Sequence, residues 1–154
     1  MRAWSRVAGL ATVMVMSLAT LMLLLMGAGC TRDDDAVRAE VQRLVLAEGD
    51  DALAQAERLS RHGRRALTSI EAVLHTADEP GRKNLVVAMR RLGDEEAVPL
   101  LMHVAVYDAG ASVRREAEWT LRSWAQDPAG GARADKARQA IRRLEELKQR
   151  EAAG

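Results

Sequence analysis

The residue with the clearest chemical potential is Cys30, the only cysteine of the 154-residue chain. A thiolate is a nucleophile and a metal ligand, but a disulfide within the chain would need a second cysteine. Gly27, Ala28 and Gly29 stand directly before Cys30. Peptidases require small side chains beside the bond they cut, so this spacing predicts cleavage between Gly29 and Cys30.

The residues before Cys30 have the three parts of a secretory signal peptide. Arg2 and Arg6 give a positive start, an uncharged apolar stretch follows, and small residues end it. The stretch is also long enough to span a bilayer as an uncleaved helix, which is the alternative. We expect residues 1–29 to be a signal peptide and residues 30–35 to include the modified cysteine and a short tether.

The segment from Gly27 to Cys30 resembles the lipobox of bacterial lipoproteins, with Gly27 where that motif prefers leucine. The resemblance implies diacylglycerol on the Cys30 sulfur and a third acyl chain on its freed amine. Several chains anchor a protein stably, whereas one holds it only marginally. The resemblance also implies the bacterial cell envelope. Thr31 stands where an inner-membrane retention signal has Asp, which favours the outer membrane if there are two.

Other residues that could do chemistry are few and scattered. His62, His75 and His103 fall on different predicted helices, with no second metal ligand at helical spacing. The sequence has no Gly-rich phosphate loop, no Gly-x-Ser-x-Gly motif and no paired metal-binding motif. We therefore expect no catalytic site, no metal and no cofactor beyond the covalent lipid.

Composition favours an all-helical protein. The chain has no Phe and one Tyr, and it is rich in Ala, Leu, Arg and Glu, which lose little on entering a helix. Its formal net charge is +1, and without Arg2 and Arg6 the remainder has 21 basic and 22 acidic residues. A nucleic-acid binder needs a basic excess to neutralise phosphates, so we expect no nucleic-acid partner.

Apolar residues recur at helical spacing from residue 36 onward, with turn residues between the segments. Short helices are not stable alone, so neighbours must bury their apolar faces. Leu53, Ala56 and Leu59 are the predicted core of the second helix, and Asp94 and Ser112 are predicted caps of the fifth and sixth. The predicted helices cover residues 36–46, 51–62, 64–76, 82–92, 94–107 and 113–125.

Matching residues return after one helix pair: Ala66 corresponds to Ala97, and Arg82 to Arg114. A period in the thirties indicates stacked helix pairs. The segment RLGDEEAVPLLMHVAVYDAGASVRREAEWTLRSW, residues 91–124, resembles one unit of the HEAT-like repeat family, and residues 66–92 resemble it in part. The resemblance implies an all-α fold, a short α-solenoid of about three antiparallel helix pairs over residues 36–126.

A linker with strong helix breakers, residues 127–131, precedes a charged helix predicted for residues 132–154. Its narrow apolar stripe begins at Ala134 and Ala137 and continues through Ile141, Leu144 and Leu147. One interpretation is that the stripe covers the open end of the repeats. The other is a coiled-coil contact with a partner or a second copy.

Trp119 departs from the core pattern, since it lies roughly 155° around its helix from the mean apolar direction. Val87 occupies the matching position one period earlier, and Arg115 and Arg122 flank Trp119 at helical spacing. The HEAT-like resemblance implies that Val87 and Trp119 lie on a concave face. An exposed Trp between arginines is typical of interaction hot spots. The alternatives are packing against a neighbouring repeat or the C-terminal helix, or an ordinary surface Trp.

These features predict a lipid-anchored protein-interaction module or scaffold that docks an envelope protein. One alternative is a structural lipoprotein that self-associates through its C-terminal helix. The other is a chromophore-attachment accessory, because HEAT-like repeats also resemble phycobilin lyases. Export and the absence of a second cysteine disfavour that activity.

Overall fold

A computed structural model describes residues 33–154, and every regular element in that range is helical. The predictions for residues 1–32, which include the signal peptide, the cut after Gly29 and the lipid on Cys30, lie outside the described residues. Within the described part, none of the helices combines the length and apolarity needed to cross a bilayer. The helices are α1 (33–45), α2 (Gly49–Ser60), α3 (Arg64–Leu74), α4 (Glu79–Leu92), α5 (Val98–Tyr107), α6 (Ala111–Gln126) and α7 (Gly131–Ala153).

Side-chain caps set two of the helix starts. The Asp78 carboxylate accepts the Gly81 N–H at 2.9 Å, so α4 begins at Glu79, three residues before the predicted start. Pro80 fits the first turn because its missing N–H would have no partner there. Asp94 accepts the Glu96 N–H at 2.9 Å and caps a 3-10 turn that leads into α5. The predicted cap at Asp94 is therefore confirmed.

Two local predictions are wrong. Leu53 is 44% exposed, because α2 buries the side that carries Ala52, Ala56 and Leu59, at spacings of four and three residues. Ser112 does not cap α6, because the helix begins one residue earlier, at Ala111, and has no side-chain cap. The Ser112 hydroxyl instead donates to Oε1 of Glu79 at 2.5 Å.

The core lies between packed helices. Helix α2 packs against α4, α4 packs against α6, and α5 packs against α6. The Asn84 amide donates to the carbonyl oxygens of Leu44 and Ala47 at 3.1 and 2.8 Å, which ties α4 to the end of α1. The largest fully buried side chains include Leu44, Leu59, Ile70, Leu74, Leu85, Met89, Leu101, Leu121 and Leu144.

The C-terminal helix α7 packs against α5 and α6. Its buried residues are Ala134, Ala137, Ala140 and Leu144, and Ile141 packs against the core as a half-buried side chain. The predicted apolar stripe, from Ala134 to Leu144, therefore packs against other helices of the same chain.

Candidate functional site

The two tryptophans of α6 have opposite environments. Trp124 lies in the core and is 4% exposed, whereas Trp119, five positions earlier, is 54% exposed. The α6 residues that face the core include Ala117 and Leu121, and the turn of the helix carries Trp119 to the other side. The prediction that Trp119 departs from the core stripe is confirmed by this exposure.

Arg90 of α4 reaches across to Trp119. Its guanidinium carbon lies 4.5 Å from the centroid of the indole ring, within the range of a cation–π contact. The same guanidinium donates to Oε1 of Glu116 at 2.8 Å, and both charged side chains are mostly buried. Trp119 is thus held against α4 by an arginine whose charge is already paired.

The predicted neighbours of Trp119 divide into two kinds. Arg115 is exposed, and no hydrogen bond or ion pair to it occurs among residues 33–154. Arg122 instead bonds Glu118 at 2.9 Å and Glu145 of α7 at 3.2 Å. The hydrogen bond that Arg122 donates to Glu118 raises the pKa of Arg122 above its ordinary value. Among the described residues, Arg122 therefore has ion-pair partners and Arg115 has none.

The fourth predicted residue, Val87, is half-buried and packs against the core. It lies on α4 one turn before Arg90, which makes the contact with Trp119. Sequence analysis missed Arg90 and Glu116. The available signal was that Arg90 stands one period before Arg122, as Val87 stands one period before Trp119.

Ion pairs near Trp119 join α7 to α6. Glu118 accepts from Lys148 at 2.7 Å in addition to Arg122. Burial acts to raise the pKa of Glu118, but the hydrogen bonds from Lys148 and Arg122 outweigh it and hold that pKa below its ordinary value. Near the C-terminal end of α6, the guanidinium carbon of Arg133 from α7 lies 5.3 Å from the Trp124 ring centroid. Trp124 therefore contacts the C-terminal helix.

No family model, curated protein or solved structure matches this chain. Its candidate site must therefore be assessed from the geometry of its own residues.

A second cluster joins the residue that follows α3 to side chains of α5. The ring centroids of His75 and His103 are 6.1 Å apart, and the rings meet edge to face. The ring centroid of Tyr107 lies 5.1 Å from that of His103. Sequence analysis placed these histidines on separate helices and did not predict that folding joins them. A cavity of about 240 Å³ borders all three rings, and one of about 370 Å³ borders both histidines.

The residues around these cavities do not form a metal centre. In residues 33–154, His, Cys, Asp and Glu nowhere form a group of three or more that could hold a metal ion. The first cavity is also bordered by Arg82 and Asp108, which bond each other. Arg82 and Asp108 are therefore already paired, and the surface around Trp119 is the stronger candidate site.

Proposed function

We propose that the protein is a lipid-anchored interaction module of the bacterial cell envelope, tethered through Cys30 and docking a partner protein at the face around Trp119. The observation that carries the docking half is the contrast between buried Trp124 and half-exposed Trp119 on one helix. Large aromatic side chains left in water beside arginines are enriched among interface hot spots. The proposed activity is binding, without a catalytic step.

The helix pairs of this module stack as a short solenoid of the HEAT-like type. The packing of α2 on α4 and of α4 on α6 supports this arrangement. Two period-related arginines give further support, because both reach the turn between α5 and α6. Arg82 bonds the Asp108 carboxylate, and Arg114 donates to the Asp108 carbonyl oxygen at 2.6 Å.

The anchor half of the proposal rests on the small residues before Cys30 and on the uncharged apolar leader. In a bacterium with two membranes, Thr31 after the cysteine favours the outer one. Intact-mass spectrometry of the membrane-extracted protein tests this. We expect a chain that begins at Cys30 and carries acyl chains, and a Cys30→Ala variant that carries none. A mass that includes the whole leader would show an uncleaved membrane helix instead.

The docking half is tested by cross-linking in intact cells. Trp119→Ala should abolish the cross-link to a defined envelope protein while leaving the melting temperature nearly unchanged. Tyr107→Ala is the matched control, because Tyr107 is an exposed aromatic residue (69%) on another helix. The docking site is refuted if both variants keep the partner, or if Trp119→Ala unfolds the domain.

Self-association through α7 is the weaker candidate, because Ala137, Ala140 and Leu144 already lie in the core of the same chain. A dimer formed through this stripe would require α7 to leave α5 and α6. Cross-links between α7 helices of two copies would favour it.

A further inference from the structure

Helices α4 and α6 carry the same sequence pattern, each along one side of the helix. Each has a cation, then an apolar residue four positions later, then an arginine three positions after that. Residues at these spacings lie along one side of a helix, and the two helices pack against each other. The two sets are Lys83, Val87 and Arg90 on α4, and Arg115, Trp119 and Arg122 on α6. Together they form what we term the basic face.

The two acidic residues of α6 beside the basic face already form ion pairs within the chain. Glu116 accepts from Arg90, and Glu118 accepts from Arg122 and Lys148. These pairs hold the helices together and leave no carboxylate of α6 to neutralise a further cation.

Two cations of the basic face make no ion pair among residues 33–154. Lys83 and Arg115 are exposed, and neither has an ion pair or hydrogen bond within residues 33–154. They belong to neighbouring helices, with the exposed ring of Trp119 on the same side of α6 as Arg115. The face therefore combines an exposed apolar ring with two exposed cations that make no ion pair in the described part of the chain.

We propose that the basic face binds an acidic segment of a partner protein, with one carboxylate on Lys83, one on Arg115 and an apolar side chain on Trp119. This inference rests on the docking function proposed above and specifies the chemistry of the partner. Complementary charge of this kind sets partner choice and association rate more than raw affinity.

The helix spacing suggests how the acidic residues are arranged. Packed helices lie about 8–10 Å apart, and an extended chain advances about 3.3 Å per residue. An extended segment that crosses from α4 to α6 turns alternate side chains toward the same surface, so its two acidic residues should lie about four positions apart, with the residue midway between them on the same side. An apolar residue between them would lie against Trp119.

The small number of unpaired cations on the basic face argues against a membrane surface or a nucleic acid as its partner. A membrane-binding patch typically has about 4–8 clustered Lys and Arg residues, and a nucleic-acid site neutralises a run of phosphates. The basic face offers two unpaired cations beside one exposed ring. That composition fits a short acidic protein segment.

Photo-cross-linking in living cells tests the inference with the full-length, membrane-bound chain. Ser123 is exposed one turn after Trp119, so replacing it with photoreactive p-benzoylphenylalanine leaves the basic face intact. The cross-linked peptide is identified by mass spectrometry. We expect a protein segment with two acidic residues and an apolar residue between them.

A charge reversal then asks whether the two cations matter. Lys83→Glu with Arg115→Glu should lower the cross-link yield about tenfold or more, because attraction becomes repulsion. Arg142→Glu with Arg143→Glu is the matched control. It makes the same change of net charge at two exposed α7 cations that also lack ion pairs among the described residues. Circular dichroism should show that both variants fold.

The outcomes separate this inference from the docking function. A protein cross-link through a segment without acidic residues, or a yield that the Lys83–Arg115 reversal does not lower, overturns the inference and leaves docking intact. Cross-links to lipid alone, or to no protein in any variant, overturn both.

Discussion

Arg82 and Asp108 form a two-point ion pair that joins the start of α4 to the turn before α6. Nε of Arg82 lies 2.8 Å from Oδ2 of Asp108, and Nη2 lies 2.9 Å from Oδ1. The same carboxylate accepts the Gly110 N–H at 2.7 Å, and its side chain is 7% exposed. One buried carboxylate therefore stabilises both the turn before α6 and the contact of that turn with α4.

Removing this carboxylate should destabilise the whole domain. Asp108→Ala leaves the Arg82 guanidinium mostly buried without its partner, and we expect a loss of about 2–3 kcal/mol in unfolding free energy. Chemical denaturation followed by circular dichroism measures it. Asp135→Ala is the control, because its pair with Arg138 is exposed and should contribute less than about 1 kcal/mol. Equal losses would contradict a structural role specific to Asp108.

The same pair predicts a pH dependence. Burial acts to raise the pKa of Asp108, but hydrogen bonds from Arg82 and Gly110 outweigh it and hold that pKa below its ordinary value. The ionised group therefore contributes its full stability at neutral pH, and this contribution is lost as the pH falls through the folded-state pKa. Unfolding free energies measured from about pH 7 down to about pH 3 should fall less steeply in Asp108→Asn. An unchanged slope would show that Asp108 is not the group responsible.

The bounds of a helix were predictable from the sequence where they depend only on residues within or next to that helix. Observed α3 and α6 agree with the predicted ranges to within two residues, because apolar spacing and flanking glycines act locally. The predicted start of α4 at residue 82 was wrong, because a Pro-Gly pair such as Pro80-Gly81 usually marks a turn. In the folded chain, Asp78 caps these residues into the first turn.

Contacts between helices were less predictable. Periodicity correctly placed Trp119 off the core stripe, but it could not show that Arg90 from another helix reaches the ring. The contact between His75 and His103 has the same origin, since it depends on how α3 and α5 lie together. One-dimensional spacing shows which side of a helix faces outward. It does not show which long side chain crosses to a neighbour.

The two tryptophans of α6 should differ sharply on truncation. Trp124→Ala removes a buried side chain, and we expect a loss of about 3–5 kcal/mol. Trp119→Ala loses mainly the contact with Arg90, worth about 0.5–1 kcal/mol at an exposed site. Melting curves of the two variants measure the difference. A similar drop for both would show that Trp119 supports the fold and would weaken its assignment to docking.

Gly81 should not tolerate alanine, although it lies in a helix. A Cβ there would approach Cγ1 of Val45 to 2.7 Å and the Val45 carbonyl oxygen to 3.1 Å. Glycine-to-alanine changes within helices usually stabilise by about 1 kcal/mol, but here the end of α1 must move. We expect Gly81→Ala to lose about 1–3 kcal/mol in thermal unfolding. Gly154→Ala at the open chain end should be neutral. A stabilised Gly81→Ala variant would show that α1 can shift freely.

A substitution of Leu144 tests whether α7 packs against its own chain or against a second copy. Its side chain is 2% exposed against the core, so Leu144→Ala should cost about 2–5 kcal/mol. Since the contacts are within one chain, the melting temperature should not change with protein concentration. An interface between copies would make it concentration-dependent through mass action. Sedimentation of detergent-solubilised protein provides the second readout. A lower molecular mass in Leu144→Ala than in the unmodified chain would show that the stripe from Ile141 to Leu147 joins two copies.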